Sequence, residues 1–338
     1  MKAVGLYKYL PINHEESLLD LEITKPSPNK RELLVKIHAI SVNPIDTKVR
    51  APKEIIEETP KILGWDAVGV VEDTGEDCTL FKRGDYVYYA GSITKQGANS
   101  EYHIVDERIV AKKPETLSDA EAAALPLTAI TAWEGLFERL AIDLHSNNEG
   151  KTILIIGGAG GVGSICIQLA KLAGLTVIAT ASRQETIDWC KQLGADYIIN
   201  HYKPFAEQLR ELNINEVDYI YCLNNTDQHW NNMADTIKPQ GKICSIVSNE
   251  TNLDLDVLKN KSATFVWEMM FTKAMYETKD METQHQLLSE VAKFIDEGKL
   301  KTTLTTTMSP INAENLKKAH QMIESGKTIG KIVLESFE

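Results

Sequence analysis

The sequence contains few of the features that mark secreted or membrane-spanning proteins. Its five cysteines are odd in number and widely spaced, which excludes a disulfide framework and a C-x-x-C metal motif. No run of about 18 apolar residues is present, so no spanning helix is predicted. The first residues, "MKAVGLYKYLPINHEE", lack the apolar segment of a signal peptide. These absences together predict a cytoplasmic protein.

Basic residues are fewer than acidic residues. The chain has 36 Lys and Arg against 48 Asp and Glu, which gives a formal net charge of −12. An acidic surface repels phosphate backbones and anionic lipids, so we expect neither nucleic acid nor a membrane as a partner. The 43% apolar content is that of a globular protein. A length of 338 residues exceeds what one core usually holds, which predicts two domains.

The first part of the chain, to about residue 110, has the pattern of short strands separated by turns. Apolar and polar residues alternate in "LLVKIHAI", and turn residues cluster at 26–29 and 83–85, which predicts an antiparallel, partly closed sheet. The Ala- and Leu-rich segment "LSDAEAAALPLTAITAWEGLFERLAI" is helical in pattern. Ser118 is its predicted N-cap, with Glu121 completing a capping box.

From Lys151 onward, apolar strands alternate with helical segments. This βαβ rhythm predicts a parallel, doubly wound sheet, and the nearly continuous apolar runs indicate strands covered on both faces. After about residue 260 two amphipathic helices and a closing strand, "GKIVLE", follow. These last elements could complete the first domain, which would then be discontinuous.

The strongest motif is "TILIIGGAGGVGSICIQLAKLAG", in which G-x-G-x-x-G lies between an apolar strand and a helix. Glycines at these positions allow a tight turn, close approach of a pyrophosphate, and close packing of the helix on the strand. The helix amino terminus offers N–H groups to the phosphates. We therefore predict a dinucleotide-binding segment made of Gly158, Ala159, Gly160, Gly161, Val162 and Gly163.

The end of the next strand, "IATASRQE", indicates which dinucleotide is bound. NAD-selective sites place an acid there against the ribose 2′-hydroxyl, whereas this chain has Ser182 and Arg183. A hydroxyl and a guanidinium suit a 2′-phosphate, so NADPH is favoured over NADH. The alternative is that Arg183 is only a solvated charge at a helix start.

Taken with these residues, the chain resembles the medium-chain dehydrogenase/reductase superfamily, and within it the zinc-less quinone oxidoreductases. The likeness spans nearly the whole chain. It depends on several motifs in the same order: "AISVNPIDTKVR", "LGWDAVGVV", "FKRGDYVY", "EAAALPLTAITAWEGL", "GGAGGVG" and "IGKIVLE".

The resemblance implies an α/β protein with a GroES-like β-rich catalytic domain and a Rossmann domain with a doubly wound parallel sheet. The expected boundaries are 1–124 and 263–338 for the catalytic domain and 125–262 for the Rossmann domain. It also implies a homodimer and further cofactor contacts. Those contacts are Asn43 near the nicotinamide, Thr131 near the cofactor, His201 where relatives often carry Tyr near the 2′-phosphate, Leu223, Asn224 and Ile246 lining the nicotinamide, and Gly330 and Lys331 closing over the cofactor.

The same comparison predicts that no zinc is bound. Zinc-dependent members carry a G-H-E segment whose His binds the metal, and this chain has Gly64, Trp65 and Asp66. Their first metal-ligand position, a Cys, falls at Asp46. A catalytic zinc needs three protein ligands and an open position, and Trp is not a ligand. The close-set cysteines of the structural zinc lobe are absent as well.

Without a metal to polarise a carbonyl, reduction of an activated alkene or a quinone by NADPH becomes the favoured reaction. We place Asn43, Asp46, Trp65 and Asp66 at or near the substrate cleft. Trp65 either stacks on a flat substrate or fills the volume of a missing metal site, and the two carboxylates are either acids or structural groups. The small-molecule electrophile is not identified by the sequence. The rival functions are a zinc-dependent alcohol dehydrogenase and a non-catalytic NADPH sensor.

Overall fold

The computed structural model describes residues 1–337 and divides them into two compact units. One unit is discontinuous and consists of Met1–Ile130 together with Phe271 and the chain that follows it. The other unit is the inserted segment Thr131–Met270. We call them the catalytic unit and the dinucleotide unit below.

The described residues form sixteen strands. In chain order they are β1 Lys2–Tyr9, β2 Leu19–Glu22, β3 Glu32–Val42, β4 Lys53–Ile62, β5 Ala67–Thr74, β6 Tyr86–Tyr89, β7 Tyr102–Asp106, β8 Val110–Lys112, β9 Thr152–Ile156, β10 Thr176–Thr180, β11 Tyr197–Ile199, β12 Val217–Cys222, β13 Ile237–Ser245, β14 Thr264–Trp267, β15 Leu304–Met308 and β16 Lys331–Glu335.

The same residues form ten α-helices. They are α1 Pro44–Arg50, α2 Asp119–Ala123, α3 Pro126–Trp133, α4 Gly161–Leu172, α5 Gln184–Gln192, α6 Phe205–Glu211, α7 Thr226–Thr236, α8 Thr272–Tyr276, α9 Thr283–Asp296 and α10 Ala313–Glu324. Short 3-10 helices occur at Glu15–Ser17, Glu107–Ile109 and Leu255–Lys261. Among residues 1–337, no helix is both long enough and apolar enough to cross a bilayer.

Two mainly antiparallel sheets make up the catalytic unit. The smaller has the order β2-β1-β4, and the larger has the order β15-β16-β3-β5-β6-β8, with β7 also pairing with β3. Strand β16, near the carboxyl end of the chain, pairs antiparallel with β3, with Ile332 opposite Val42. The predicted GroES-like β-rich domain is confirmed.

The dinucleotide unit is a six-stranded parallel sheet of order β11-β10-β9-β12-β13-β14. Its strands are buried along almost their whole length, as in Ile153–Ile156 of β9, because helices cover both faces. One core cluster on this sheet joins β9 to β13 through Leu154, Ile220 and Ile243 with Trp230 of α7. The predicted doubly wound Rossmann sheet is confirmed.

Three local features differ from the sequence pattern. Strand β4 covers "KEIIEETPKI", a segment without alternation of apolar and polar residues, and most of its side chains are exposed. Helix α7 begins at Thr226 and buries only three apolar residues, Trp230, Met233 and Ala234, so its sequence is largely polar. The predicted helix after Ser118 is divided, because Pro126 begins a new helix, α3, and a π-helical turn continues it over Glu134–Arg139.

The π-helical turn encloses the phenol of Tyr221 from β12. The Tyr221 hydroxyl donates a hydrogen bond of 2.7 Å to the Thr131 carbonyl. Gly135 leaves the room for it, because a Cβ there would lie 2.0 Å from the Tyr221 hydroxyl oxygen. The central strand and the first helix of the dinucleotide unit are thereby tied together.

Candidate active site

The glycine motif forms the turn between β9 and α4, a cradle made of main-chain groups. Gly160 is the N-cap of α4 and caps it without a side chain, so the first N–H groups of the helix are left for a ligand. A Cβ at Gly160 would lie 3.6 Å from the Gly157 carbonyl oxygen, which is an ordinary van der Waals contact. At Gly163 a Cβ would lie 2.3 Å from the same oxygen, which is a collision. The turn therefore has room for a Cβ at the second glycine and none at the third, and the residues present fit a dinucleotide.

Most of the predicted cofactor residues of this unit follow the carboxyl ends of its parallel strands. Because these ends share one edge of a parallel sheet, the residues lie along that edge. They are Gly158, Ala159, Gly160, Gly161, Val162 and Gly163 after β9, Ser182 and Arg183 after β10, His201 after β11, Leu223 and Asn224 after β12, and Ile246 after β13. Thr131 belongs to the same unit and is 4% exposed in α3.

Arg183 is the N-cap of α5, and its side chain is 38% exposed. The guanidinium lies 3.1 Å from the Glu185 carboxylate, which is more exposed still. His201 is half-buried and packs edge-on against the exposed ring of Tyr202, with centroids 4.4 Å apart. Burial lowers the pKa of His201, so its imidazole is mainly neutral near pH 7.

The other predicted site residues, in the catalytic unit, form one buried polar network. Asn43 precedes α1, and its backbone N–H donates to Asp46 at 2.7 Å. The other Asp46 oxygen accepts the Gly64 N–H at 3.0 Å. Gly64 has a φ of +96°, and a Cβ there would overlap the Asn99 side chain, so the turn requires glycine.

Asp66 and Lys331 form the centre of this network. The Asp66 carboxylate accepts the Leu127 N–H at 2.7 Å, the Asn43 amide at 2.8 Å and the Lys331 ammonium at 2.9 Å. The ammonium also donates to the Val42 carbonyl at 3.1 Å and to the Asn43 amide oxygen. Asp66 is 0% and Lys331 is 3% exposed. All three protons of the ammonium are thus directed at protein oxygens.

Burial dominates the electrostatics of these carboxyl groups. It raises the pKa of Asp46 to about 7, although the Asn43 N–H and Lys331 oppose the shift. It also raises the pKa of Asp66, against the charge of Lys331 and the amide of Asn43. One ammonium therefore compensates two carboxyl groups that are almost wholly removed from water.

Trp65 lies in the core beside this network and is 1% exposed. Its indole N–H donates to the Ser92 carbonyl at 3.1 Å, and its ring meets Phe271 edge-on at 6.0 Å. Gly330, at the turn before Lys331, has a φ of +57°. The hydrogen bond between Lys331 and Asp66 could not be predicted from the sequence, because no local pattern marks residues 265 positions apart as neighbours.

The donor set at the predicted metal positions does not suit zinc. Both oxygens of Asp46 accept backbone N–H groups, and the indole of Trp65 offers no lone pair. Over the part of the chain that the structure describes, no group of three or more His, Cys, Asp or Glu side chains is arranged to hold a metal ion.

A second buried charge cluster lies in the dinucleotide unit. Glu268 follows β14, is 4% exposed and accepts from the Arg139 guanidinium at 2.9 Å. Glu134, on the π-helical turn, is 1% exposed and hydrogen-bonds to Glu268. Burial, and then the charge of Glu134, raises the pKa of Glu268 to about 8. The neutral form of the Glu268 carboxyl group is thereby favoured beside Glu134.

Comparison with known proteins agrees with this geometry. Residues 29–115 match the alcohol dehydrogenase GroES-like domain, and residues 193–334 match the zinc-binding dehydrogenase family. A zinc-type alcohol dehydrogenase-like protein of Staphylococcus aureus is 46% identical over 99% of both chains. A quinone-oxidoreductase homolog from the chloroplast of Spinacia oleracea is 30% identical over 95% of this chain and 94% of its own.

Solved structures give the same fold. A structure from Rhizobium etli, provisionally named a zinc-dependent alcohol dehydrogenase protein, is 49% identical, with a TM-score of 0.96 over 100% of this chain and 98% of its own. The Escherichia coli quinone oxidoreductase complexed with NADPH is 25% identical, with a TM-score of 0.83 over 99% of this chain and 100% of its own. Fold and site thus define an oxidoreductase that uses a nicotinamide cofactor. The chain belongs to the medium-chain dehydrogenase/reductase superfamily.

The two glycines give a matched test of the cradle. In Gly163→Ala the new Cβ collides with backbone oxygens, so we expect a loss of about 1–3 kcal/mol in the free energy of unfolding. In Gly160→Ala the Cβ makes only an ordinary van der Waals contact, so stability should change by less than about 0.5 kcal/mol while dinucleotide affinity falls. Denaturant titration and cofactor titration measure the two effects. Equal stability of both variants would contradict the packing described here.

The raised pKa of Glu268 predicts a pH-dependent stability. The folded state holds this proton up to about pH 8, whereas the ordinary value is 4.5, so the free energy of unfolding falls as the pH rises between these values. Glu268→Gln cannot titrate and keeps an acceptor for Arg139, so its decline should be shallower. Glu138→Gln, which changes an exposed partner of the same Arg139, is the control. Thermal unfolding at several pH values measures this dependence. If the stability of Glu268→Gln and that of the wild type declined equally with pH, the raised pKa of Glu268 would be refuted.

Proposed function

We propose that this chain is an NADPH-dependent reductase of quinones or α,β-unsaturated carbonyl compounds that transfers hydride without zinc. The observation that carries the proposal is the hydrogen bonding of Asp46 and Trp65. Both carboxylate oxygens of Asp46 accept hydrogen bonds from backbone N–H groups, and the indole of Trp65 has no atom that can bind a metal. Reversible alcohol oxidation in this superfamily needs a Lewis acid at these positions, whereas conjugate reduction does not.

The preference for NADPH is supported by the end of β10. No acid follows the strand there, and the Arg183 guanidinium is partly exposed at the start of α5. Its contact with Glu185 is an exposed ion pair, which contributes little to stability. A phosphate can therefore replace the Glu185 carboxylate as the partner of the guanidinium. The structural relative from Escherichia coli binds NADPH, which also favours this assignment.

In this proposal the protein binds and orients the cofactor and the substrate, and it excludes water from them. NADPH, when bound, supplies the hydride. Gly160 and the amino terminus of α4 hold the pyrophosphate. Asp46 and Asp66 accept hydrogen bonds from protein groups, and in this proposal both act as structural groups. Water supplies the proton that completes the reduction.

The substrate class is inferred from relatives. The Spinacia oleracea relative is named a quinone-oxidoreductase homolog, and a relative from Solanum lycopersicum, 30% identical over 94% of this chain and 74% of its own, is named a 2-methylene-furan-3-one reductase. A quinone and an alkene conjugated to a ketone share one requirement, a carbon that accepts hydride while charge develops on a conjugated oxygen. An electrophile of that kind is the substrate we propose.

We further propose that two copies of the chain associate through the open edge of the dinucleotide unit's sheet. Strand β14 is an edge strand and bears Trp267, which is 44% exposed, close to Met269, also 44% exposed. An edge with exposed apolar side chains invites pairing with another strand. A mass in solution near twice 37.7 kDa would support the dimer, and a monomer would exclude it.

The reaction is tested by following NADPH consumption with a panel of quinones, enones and saturated alcohols or ketones, with NADH in parallel. We expect turnover of conjugated electrophiles only and a preference for NADPH. Turnover of simple alcohols with NADP⁺ would instead support the zinc-dependent alternative. Binding of NADPH without turnover of any electrophile would support a sensor.

Arg183→Asp tests the cofactor assignment in the same assay. Loss of a charge-assisted contact should raise the KM for NADPH by roughly 10- to 100-fold and leave the KM for NADH nearly unchanged. Arg210→Asp makes the same charge change on exposed α6 and serves as the control. An unchanged preference in Arg183→Asp would remove Arg183 from the cofactor site.

A further inference from the structure

We propose that Trp189 and Ser164 are positioning residues of the dinucleotide unit, which orient the Gly161 N–H toward the pyrophosphate through the carbonyl of Gly160. All four residues belong to the same compact unit. This inference rests on the proposed function, in which Gly160 and the amino terminus of α4 hold the pyrophosphate. It adds a hydrogen-bonded chain behind that turn, which begins on the neighbouring helix α5.

The chain starts at the indole of Trp189. The indole N–H donates to the Ser164 hydroxyl oxygen at 2.8 Å, and the hydroxyl donates to the Gly160 carbonyl at 2.7 Å. The backbone N–H of Ser164 donates to the same carbonyl at 2.9 Å, which is the first hydrogen bond of α4. Ser164 is 0% exposed, so bulk water does not compete for its hydroxyl.

Chemistry fixes the direction of each bond in this chain. An indole nitrogen has one proton to donate and accepts none, so the Ser164 oxygen must be the acceptor. The hydroxyl has a single hydrogen, and the Gly160 carbonyl oxygen only accepts. A hydroxyl without a second partner rotates about its C–O bond, whereas Trp189 holds this one with its hydrogen directed at Gly160.

An oriented Gly160 carbonyl also orients the Gly161 N–H, because both belong to one planar peptide group. In a trans peptide the C=O and the N–H point in opposite directions, so a carbonyl drawn into the helix turns the N–H outward. Gly161 is the first residue of α4, where an N–H has no partner within the helix. Glycine on both sides of this peptide gives it little steric restraint. The hydrogen bonds from Ser164 supply that restraint.

The bonds of the chain all run in one direction, toward the phosphate. In such a series each bond polarises the next, with a gain of about 10–30% per bond. Two donors on the Gly160 carbonyl therefore make the N–H at the far side of the peptide a stronger donor. An anionic acceptor gains more from a stronger donor than a neutral one does. The chain thus suits a pyrophosphate, whose charged oxygens only accept.

The test is a mutant cycle read out by the dissociation constant of NADPH, measured by titration without any substrate. Ser164→Ala removes the hydroxyl, and we expect the dissociation constant to rise roughly fivefold. Trp189→Phe removes the indole N–H but leaves the hydroxyl in place without its orienting partner, so a rise of roughly two- to threefold is expected. The double variant should match Ser164→Ala, because Trp189 acts only through Ser164.

Matched controls remove the same kinds of bond elsewhere in the dinucleotide unit. Thr236→Val deletes a hydroxyl that donates to the Asn232 carbonyl, four residues earlier on α7, at 2.6 Å. Trp230→Phe deletes an indole N–H that donates to the Asp254 carbonyl at 3.0 Å. Both should lower the melting temperature and leave the dissociation constant of NADPH unchanged. Melting temperatures without ligand show whether each variant is folded, and the double variant Ser164→Ala/Trp189→Phe leaves no buried partner unpaired.

The indole N–H resonance of Trp189 gives a second readout, which a merely structural role would not move. The resonance is identified by its absence from the spectrum of Trp189→Phe. Binding of NADPH should shift it in the wild type, because a phosphate at the Gly161 N–H polarises the whole chain, and the shift should shrink in Ser164→Ala. The Trp230 resonance should stay in place. A Trp189 resonance that does not move at saturating NADPH would contradict the chain.

Two results of the cycle would overturn the inference. The first is an unchanged dissociation constant of NADPH in folded Ser164→Ala. The second is an equal effect of Trp189→Phe with and without the Ser164 hydroxyl, because independent effects multiply. The binding readout keeps both outcomes distinct from failure of the proposed function. A wild-type protein that binds NADPH and reduces no electrophile would refute the reaction alone, and the cycle would still decide the role of Ser164.

Discussion

The buried pair of Lys331 and Asp66 is the constraint on which the catalytic unit depends. Lys331 begins the strand that the end of the chain adds to the larger sheet, and Asp66 immediately precedes β5 of the same sheet. Their contact, with those to Asn43 and Leu127, joins segments that are distant in sequence. An unpaired charge in this place would be strongly unfavourable, so the two residues require one another. The discontinuous unit is therefore held together chemically as well as by its backbone pairing.

The dinucleotide unit depends on a different constraint, which is backbone geometry. Its predicted cofactor residues follow strands β9 to β13, and a parallel sheet brings those ends to one edge. Gly163 lets α4 pack closely against the turn, whereas a Cβ at Gly160 would make only an ordinary contact. In this unit the predicted contacts to the dinucleotide are mainly main-chain groups, and Arg183 is the charged side chain among them.

Much of this could be predicted from the sequence because its signals are local. The glycine motif, the apolar strands and the capping box at Ser118 are each contained in a few residues, and the structure has them in place. Strand β4 was missed because its side chains are mostly exposed, so no apolar pattern marks it. The Lys331 to Asp66 contact was missed for a different reason. A buried ion pair between residues 265 positions apart leaves no pattern in either segment.

The central claim is that protein groups satisfy the site at Asp46, Trp65 and Asp66 and leave no place for a catalytic metal. Metal analysis of the purified chain, combined with its NADPH-dependent reductase rate before and after dialysis against a chelator, tests this most directly. The account predicts far less than one zinc ion per chain and an unchanged rate. About one tightly bound zinc per chain, whose removal abolishes reduction and whose return restores it, would contradict the account.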